Sequence, residues 1–284
     1  MADKPPVTEA RKGRRATAAI RYTTLDIAIR DSVAFVTLNR PDVHNAFDET
    51  LIAEFTAALH ATGSDDAVRV VVVAGAGASF CAGADLNWMK RMAGYSRAQN
   101  LADAKGLAKM LATLNELPKP TIARVQGAAF GGGAGLVACC DIAIGAQDAV
   151  FAFSEARLGL IPATIGPYVV EAIGARAARR LFLTAERFTA AEAFRLGLLH
   201  EVATAAELDL RVGELVADLL KAGPQAQAEC KALLRAVAHR PIDAAVIADT
   251  ARRIAALRAT PEGKEGVAAF LGKRKAAWVP RSGG

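Results

Sequence analysis

The valine-rich run at 68–73 constrains this chain more than any other feature. β-branched side chains are stiff and pack well on a pleated surface, so the run reads as a strand. It lacks polar alternation, which is typical of a strand buried on both faces, as in a parallel sheet flanked by helices. The neighbouring segments fit that setting. Leu25–Arg30 and 33–39 are short β-rich runs around Asp31-Ser32, a turn signal, and predict a hairpin ended by Arg40-Pro41. Asp48 is placed to cap a helix whose apolar residues Leu51, Phe55, Ala58 and Leu59 recur at helical spacing. A helix over 97–117 stops at Pro118 and Pro120, and strands follow at Thr121–Val125, 142–144 and 150–153. Beyond Pro162 the pattern is mainly helical, near 166–183, 190–196, 205–222, 224–239, 242–259 and 262–277. The expected fold is α/β, with an N-terminal arm at 1–20, an α/β core at 21–204 and a C-terminal helical subdomain at 205–284. No repeat of fixed period is visible.

Charge is informative only once it is located. Residues 1–21 hold Lys4, Arg11, Lys12, Arg14, Arg15 and Arg21 against Asp3 and Glu9, so +4 of the net +6 lies there. A basic arm on a near-neutral body, without interleaved aromatics, argues against nucleic acid as a partner. No apolar run approaches the roughly 18–20 residues that cross a bilayer, so no membrane partner is expected either. Cys81, Cys139, Cys140 and Cys230 show no CxxC spacing, and His44, His60, His200 and His239 are scattered. Neither a disulfide framework nor a metal site is expected, which favours the cytoplasm. The Arg-rich start also admits an organellar presequence, although Asp3 and Glu9 count against it.

Two glycine-containing segments follow buried strands: Phe80-Cys81-Ala82-Gly83-Ala84-Asp85-Leu86, and Gly127-Ala128-Ala129-Phe130-Gly131-Gly132-Gly133-Ala134-Gly135. Neither fits a dinucleotide or Walker fingerprint, and no GxSxG elbow is present. Small residues there can serve close helix–sheet packing alone. Loops at the same edge of a parallel sheet can also aim two backbone N–H groups at one oxygen, which suits an oxyanion that develops during reaction. Glu155 follows the apolar strand at 150–153, where burial raises a carboxylate's proton affinity and fits it for acid–base work. Pairing with Arg157 at the surface is the plainer alternative.

Taken in order, the blocks Leu38-Asn39-Arg40-Pro41 with Asn45-Ala46, Ala82 through Leu86, Gly131 through Ile142, Glu155 through Pro162, and Glu265-Gly266 with Phe270 and Lys273-Arg274-Lys275 resemble the enoyl-CoA hydratase/isomerase (crotonase) family over about 25–278. The resemblance implies a crotonase-like spiral of β-β-α turns with a C-terminal helical trimerisation subdomain. It also implies homotrimers or hexamers (dimers of trimers) and acyl-CoA thioester substrates, without a cofactor beyond the coenzyme A of the substrate. By match to family positions, the N–H groups of Ala84 and Gly132 form the oxyanion hole and Glu155 is the catalytic carboxylate. Val43, His44, Ala82, Asp85, Leu86, Trp88, Gly131, Phe270 and Lys273 fall at substrate or CoA positions, with Asp85 orienting its loop.

One position departs from the family pattern. Hydratases of the best-known type carry two glutamates, and the first is replaced here by Gly135. A lone carboxylate suits a double-bond isomerase, and it also serves hydration if backbone groups hold the water. The stretches Asp85-Leu86-Asn87-Trp88-Met89 and 130–140 look like bacterial hydratases of the methylglutaconyl-CoA and carboxygeranoyl-CoA kind, which act on 3-methyl-branched thioesters. The expected activity is therefore hydration of a 2-enoyl-CoA. The alternatives are a Δ3/Δ2-enoyl-CoA isomerase and an inactive acyl-CoA-binding relative.

Overall fold

The computed structural model describes residues 22–280; the arm at 1–20 lies outside them. Strands β1 (Leu25–Arg30) and β2 (Val33–Leu38) form the expected hairpin, with Leu25 opposite Leu38 and Arg30 opposite Val33. Asp31 and Ser32 both have positive φ, at 50° and 64°, the two-residue turn whose twist matches the strands it joins. Helix α1 (Glu49–Ser64) starts where the Asp48 carboxylate accepts the Leu51 N–H at 2.8 Å. It leads into β3 (Val70–Gly75), which begins two residues after the start of the valine run.

Helices α2 (Leu86–Met92) and α3 (Arg97–Asn115) then carry the chain to β4 (Thr121–Val125). With β6 (Ile142–Ala146) and β9 (Glu201–Ala203) the main sheet has the order β1-β2-β3-β4-β6-β9, parallel throughout except for β1. The two faces of β3 explain its composition. Val71 and Val73 pack with Leu51, Phe55, Met110, Leu111 and Leu114 from α1 and α3. Val70 and Val72 pack on the other side with Leu208, Val212 and Leu220 of α7 (Leu208–Lys221). A strand covered on both faces has no position where a polar residue would reach water.

Of a second sheet of order β5-β7-β8, β7 (Val150–Ala152) falls in the strand expected at 150–153, whereas β5 (Ala128–Phe130) and β8 (Arg187–Thr189), three residues each, were not legible. β5 sits inside the glycine-rich segment and reads as turn, because three residues carry no periodicity. Phe151 and Phe188 of this sheet pack with Phe153 and Phe182, with ring centroids of contacting pairs 5.1–5.7 Å apart. Helix α4 (Gly132–Cys139) lies between β5 and β6.

The later helices are α5 (Gly166–Thr184), α6 (Ala190–Leu196), α8 (Pro224–Val237), α9 (Ala244–Ala259) and α10 (Pro261–Leu271). α10 is shorter than the pattern to 277 predicts. Gly272 and the left-handed Lys273 (φ 50°) end it, and the Gly272 and Arg274 N–H groups close on the carbonyls of Ala268 and Ala269. Among the described residues no helix is long and apolar enough to cross a membrane.

A partly buried ion pair ties α8 to the sheet. Lys231 Nζ donates to Asp141 Oδ2 at 2.7 Å, and the same oxygen accepts the Thr121 N–H and Oγ1 at 2.8 Å each. Lys231→Ala leaves the carboxylate two donors but no cation. Breaking a fully buried pair costs ~3–5 kcal/mol, so about 2 kcal/mol is expected for this partly solvated carboxylate. A urea titration should show the midpoint lowered at unchanged m-value.

Candidate active site at the strand ends

The segment after β3 is held in place by five backbone hydrogen bonds in succession. Cys81 donates its N–H to Ala128 O at 3.0 Å and accepts the Phe130 N–H at 2.9 Å, which joins this loop to β5. Ala82 N–H then donates to His44 O at 2.9 Å. Phe47 brackets the next residues: its N–H donates to Gly83 O at 2.7 Å, and its carbonyl accepts the Asp85 N–H at 2.8 Å. Successive peptide groups in extended chain point to opposite sides, so Ala84 between them turns its own N–H away from Phe47. Among the described residues no backbone carbonyl accepts that N–H. Gly83 and Asp85 are buried, whereas Ala84 is exposed.

The second loop repeats this layout. Gly131 donates to Ala152 O at 2.8 Å and has φ 48°, ψ −118°, a backbone conformation that a side chain would strain. Gly132 is the first residue of α4, so its N–H is among those a helix leaves without an internal acceptor. It too is partly exposed between buried neighbours, Gly131 and Gly133. The loops abut closely, for a Cβ on Gly133 would lie 2.2 Å from Cys81 O. A Cβ on Gly132 would lie 2.5 Å from Cε2 of Phe47. Phe47 thus touches both candidate donors: its main chain brackets Ala84, and its buried ring packs on Gly132.

Glu155 opens a 3-10 turn (Glu155–Leu158) just beyond β7. A Cβ on Gly131 would lie 3.1 Å from Glu155 Oε1, so the carboxylate sits against the entry of α4. Its Oε2 is buried with no hydrogen-bond partner among the described residues. The surface pairing with Arg157 is not formed. Burial raises the Glu155 pKa above the ordinary 4.5, opposed by its own backbone N–H.

The sign of the resulting pH effect follows from proton counts. From about pH 4.5 upward the unfolded chain releases this proton while the folded protein retains it, so Glu155 costs stability as pH rises through the window up to its raised value. Glu155→Gln removes that cost. The variant is expected to melt above wild type at neutral pH, with the gap closing below pH 4.5, as read from Tm over a pH series.

Around these residues the loops are fastened by polar contacts centred on Arg40 and Asn45, for which the sequence suggests no role beyond the family blocks. Arg40 Nη1 donates to Ala46 O at 2.5 Å, and its Nη2 lies 2.9 Å from Asp48 Oδ2 and 3.1 Å from Asp85 Oδ2. One guanidinium therefore joins the strand end to the caps of α1 and α2. Asp85 Oδ1 accepts the N–H groups of Asn87 and Trp88. Burial works against its ionised form, but those N–H groups and Arg40 outweigh it and hold the pKa below the ordinary carboxylate value. Asn45, fully buried at φ 55°, accepts the Arg40 N–H and donates to the carbonyls of Ala76 and Ser79. Polar residues at a strand end were the available signal for this network, but the contacts that join it to the other loops span 31 to 45 positions.

Of the other expected contact residues, Val43 and Leu86 are exposed. His44 is left-handed, with Nδ1 3.0 Å from Ser79 Oγ. Trp88 is buried in the main core and donates through Nε1 to Asp103 Oδ1 at 3.1 Å. Phe270 on α10 is exposed and Lys273 follows that helix; no hydrogen bond, ion pair or ring contact joins either to the two loops within the described chain. Gly135, one turn into α4, is buried under Ile165, whose Cγ2 lies 2.2 Å from where a Cβ would stand.

The enoyl-CoA hydratase/isomerase family model matches residues 28–281. This chain belongs to that family. A crystal structure of an enoyl-CoA hydratase from Shewanella pealeana superimposes with a TM-score of 0.89 at 43% identity, covering 91% of this chain and 97% of the other. The crotonyl-CoA hydratase of Syntrophomonas wolfei is 32% identical over 262 residues, 92% of this chain and 99% of the relative. The 2,3-dehydroadipyl-CoA hydratase of Escherichia coli is 31% identical over 252 residues, 88% of this chain and 96% of the relative. The α/β core with its C-terminal helices is thus a crotonase-family fold.

Proposed function

We propose that this protein is an enoyl-CoA hydratase that adds water to the conjugated double bond of a 2-enoyl-CoA thioester, 3-methyl-branched chains included. The N–H groups of Ala84 and Gly132 bind the thioester oxygen. As the oxygen of water bonds to the β-carbon, charge develops on the thioester oxygen, and two aligned donors stabilise that enolate more than the ground-state carbonyl. Glu155 delivers a proton to the α-carbon and recovers one from the attacking water. No electrons are transferred, so the reaction calls for no redox cofactor.

The observation that carries this reading is the buried, unpartnered Oε2 of Glu155 beside the α4 entry. A structural carboxylate would be paired there, whereas one that exchanges protons with a ligand is left open. Val43, His44, Ala82, Asp85, Leu86 and Gly131 are read as lining or supporting the thioester and CoA path, with Trp88 behind the acyl pocket. Phe270 and Lys273 are read as reaching the CoA of a neighbouring subunit in a trimer or hexamer. The exposed Leu234, Ile242, Ile247, Phe270 and Leu271 favour such an assembly, which sedimentation analysis of the purified chain would test.

A second reading is supported by one observation. Gly135 leaves Glu155 without a second carboxylate on α4, and a single carboxylate suffices to move a proton between two carbons, as in a Δ3/Δ2-enoyl-CoA isomerase. Product mass over straight and 3-methyl-branched enoyl-CoAs separates the readings, because hydration adds the mass of water and isomerisation adds none. Absence of hydroxyacyl product from every 2-enoyl-CoA would refute hydration. Tight CoA binding with equal turnover in wild type and Glu155→Gln would instead mark an acyl-CoA-binding relative.

A further inference from the structure

Glu155 and Ile165 each stand against a glycine at the start of one helix. Gly131 is the cap residue of α4 and Gly135 lies one turn in; the Gly135 N–H donates to Gly131 O at 3.0 Å, which places the two glycines at opposite ends of the first turn. The Glu155 carboxylate stands over Gly131, and Ile165 stands over Gly135. Ile165 is 1% exposed, sits at the cap position of α5 and belongs to the main core, so it has little room to yield. The gap at Gly135 is thus filled by hydrocarbon from another element. No side chain fits at 135 while Ile165 remains.

Resting on the functional reading above, we infer that Ile165 is a specificity-determining residue that sets the partition between hydration and isomerisation at Glu155. With Ile165 in place, the wall beside the carboxylate admits neither a second polar side chain nor a water held by one. A 3-enoyl-CoA can then lose its α-proton to Glu155 and receive it back at the γ-carbon. The double bond shifts into conjugation, and no water is consumed. The α-carbon–hydrogen bond breaks, the γ-carbon–hydrogen bond forms, and the electron pair passes through the enolate held by the two N–H groups. Hydration of the conjugated product competes for the same carboxylate. Opening the wall favours hydration.

The test is a thermodynamic and product cycle on the full chain: wild type, Gly135→Glu, Ile165→Gly and the double variant, with Ile165→Ala beside them. Gly135→Glu alone is expected to lower Tm by roughly 2–10 °C through overpacking. The double variant should recover at least half of that loss relative to Ile165→Gly, since the two sites share one space. Supplied with a 3-enoyl-CoA, wild type should release conjugated product as well as hydroxyacyl product. The hydrated-to-isomerised ratio should rise about tenfold in the double variant and rise also in Ile165→Ala, which adds no charge. An unchanged Tm for Gly135→Glu, no recovery in the double variant, or an unchanged ratio in Ile165→Ala would each overturn the inference. A wild type that hydrates 2-enoyl-CoAs but never isomerises a 3-enoyl-CoA keeps the functional reading and overturns the inference alone. A wild type that turns over neither substrate refutes the functional reading and removes Ile165 from specificity with it.

Discussion

Glu155→Gln lowers turnover of a 2-enoyl-CoA by about 10²–10⁴, the usual worth of a positioned acid–base group. The substitution preserves shape and deletes proton transfer. The carboxylate has one oxygen buried without a partner, so no internal ion pair is lost with it. The fold should therefore be retained and CoA affinity should stay close to wild type, and the loss should fall on kcat rather than KM. Loss of the conjugated thioester's ultraviolet absorbance measures the rate, and titration with CoA measures binding. A wild-type rate would remove Glu155 from the mechanism. The same variant is expected to be the more stable one at neutral pH, so low activity cannot be attributed to unfolding.

Gly132→Val lowers kcat by about 10²–10³, the effect of losing one oxyanion donor. A Cβ at 132 already falls 2.5 Å from the Phe47 ring, and Phe47 is 1% exposed within the main core, so it cannot swing aside without repacking its neighbours. The strain is relieved by shifting the start of α4, and the Gly132 N–H moves with it. Overpacking adds about 1–3 kcal/mol of destabilisation. Two readouts separate these effects: the fall in kcat at a temperature where circular dichroism shows a folded chain, and the shift of Tm. A folded Gly132→Val protein with undiminished kcat would show that this N–H does not bind the thioester oxygen. Phe47 was absent from the residues expected to matter, yet it is the contact through which both loops respond.

Much of the framework could be read before any coordinates. The hairpin around Asp31-Ser32, the doubly buried β3, the Asp48 cap and the helices after Pro162 rest on local signals: turn chemistry, side-chain branching and apolar spacing. Those signals act within about a dozen residues, which is what a periodicity argument can see. The three-residue strands β5 and β8 were not legible, because a strand that short is defined by its partner rather than by its own composition. The end of α10 was overrun for a similar reason, since Gly272 and Lys273 complete a backbone closure that residue pattern alone does not announce.

For the site, the sequence by itself determined which groups are available: small residues at two strand ends, a lone glutamate after an apolar strand, and glycine at 135. The family blocks assigned roles to several of them. Only the tertiary structure decided how those groups are held. Arg40 meets Asp85 across 45 positions, Phe47 meets Gly132, and Ile165 closes over Gly135. Each is a contact between elements far apart in the chain. Chain order does not encode which side chain fills the space over a glycine; close packing does, because that volume is taken by whichever neighbour the fold presses against it.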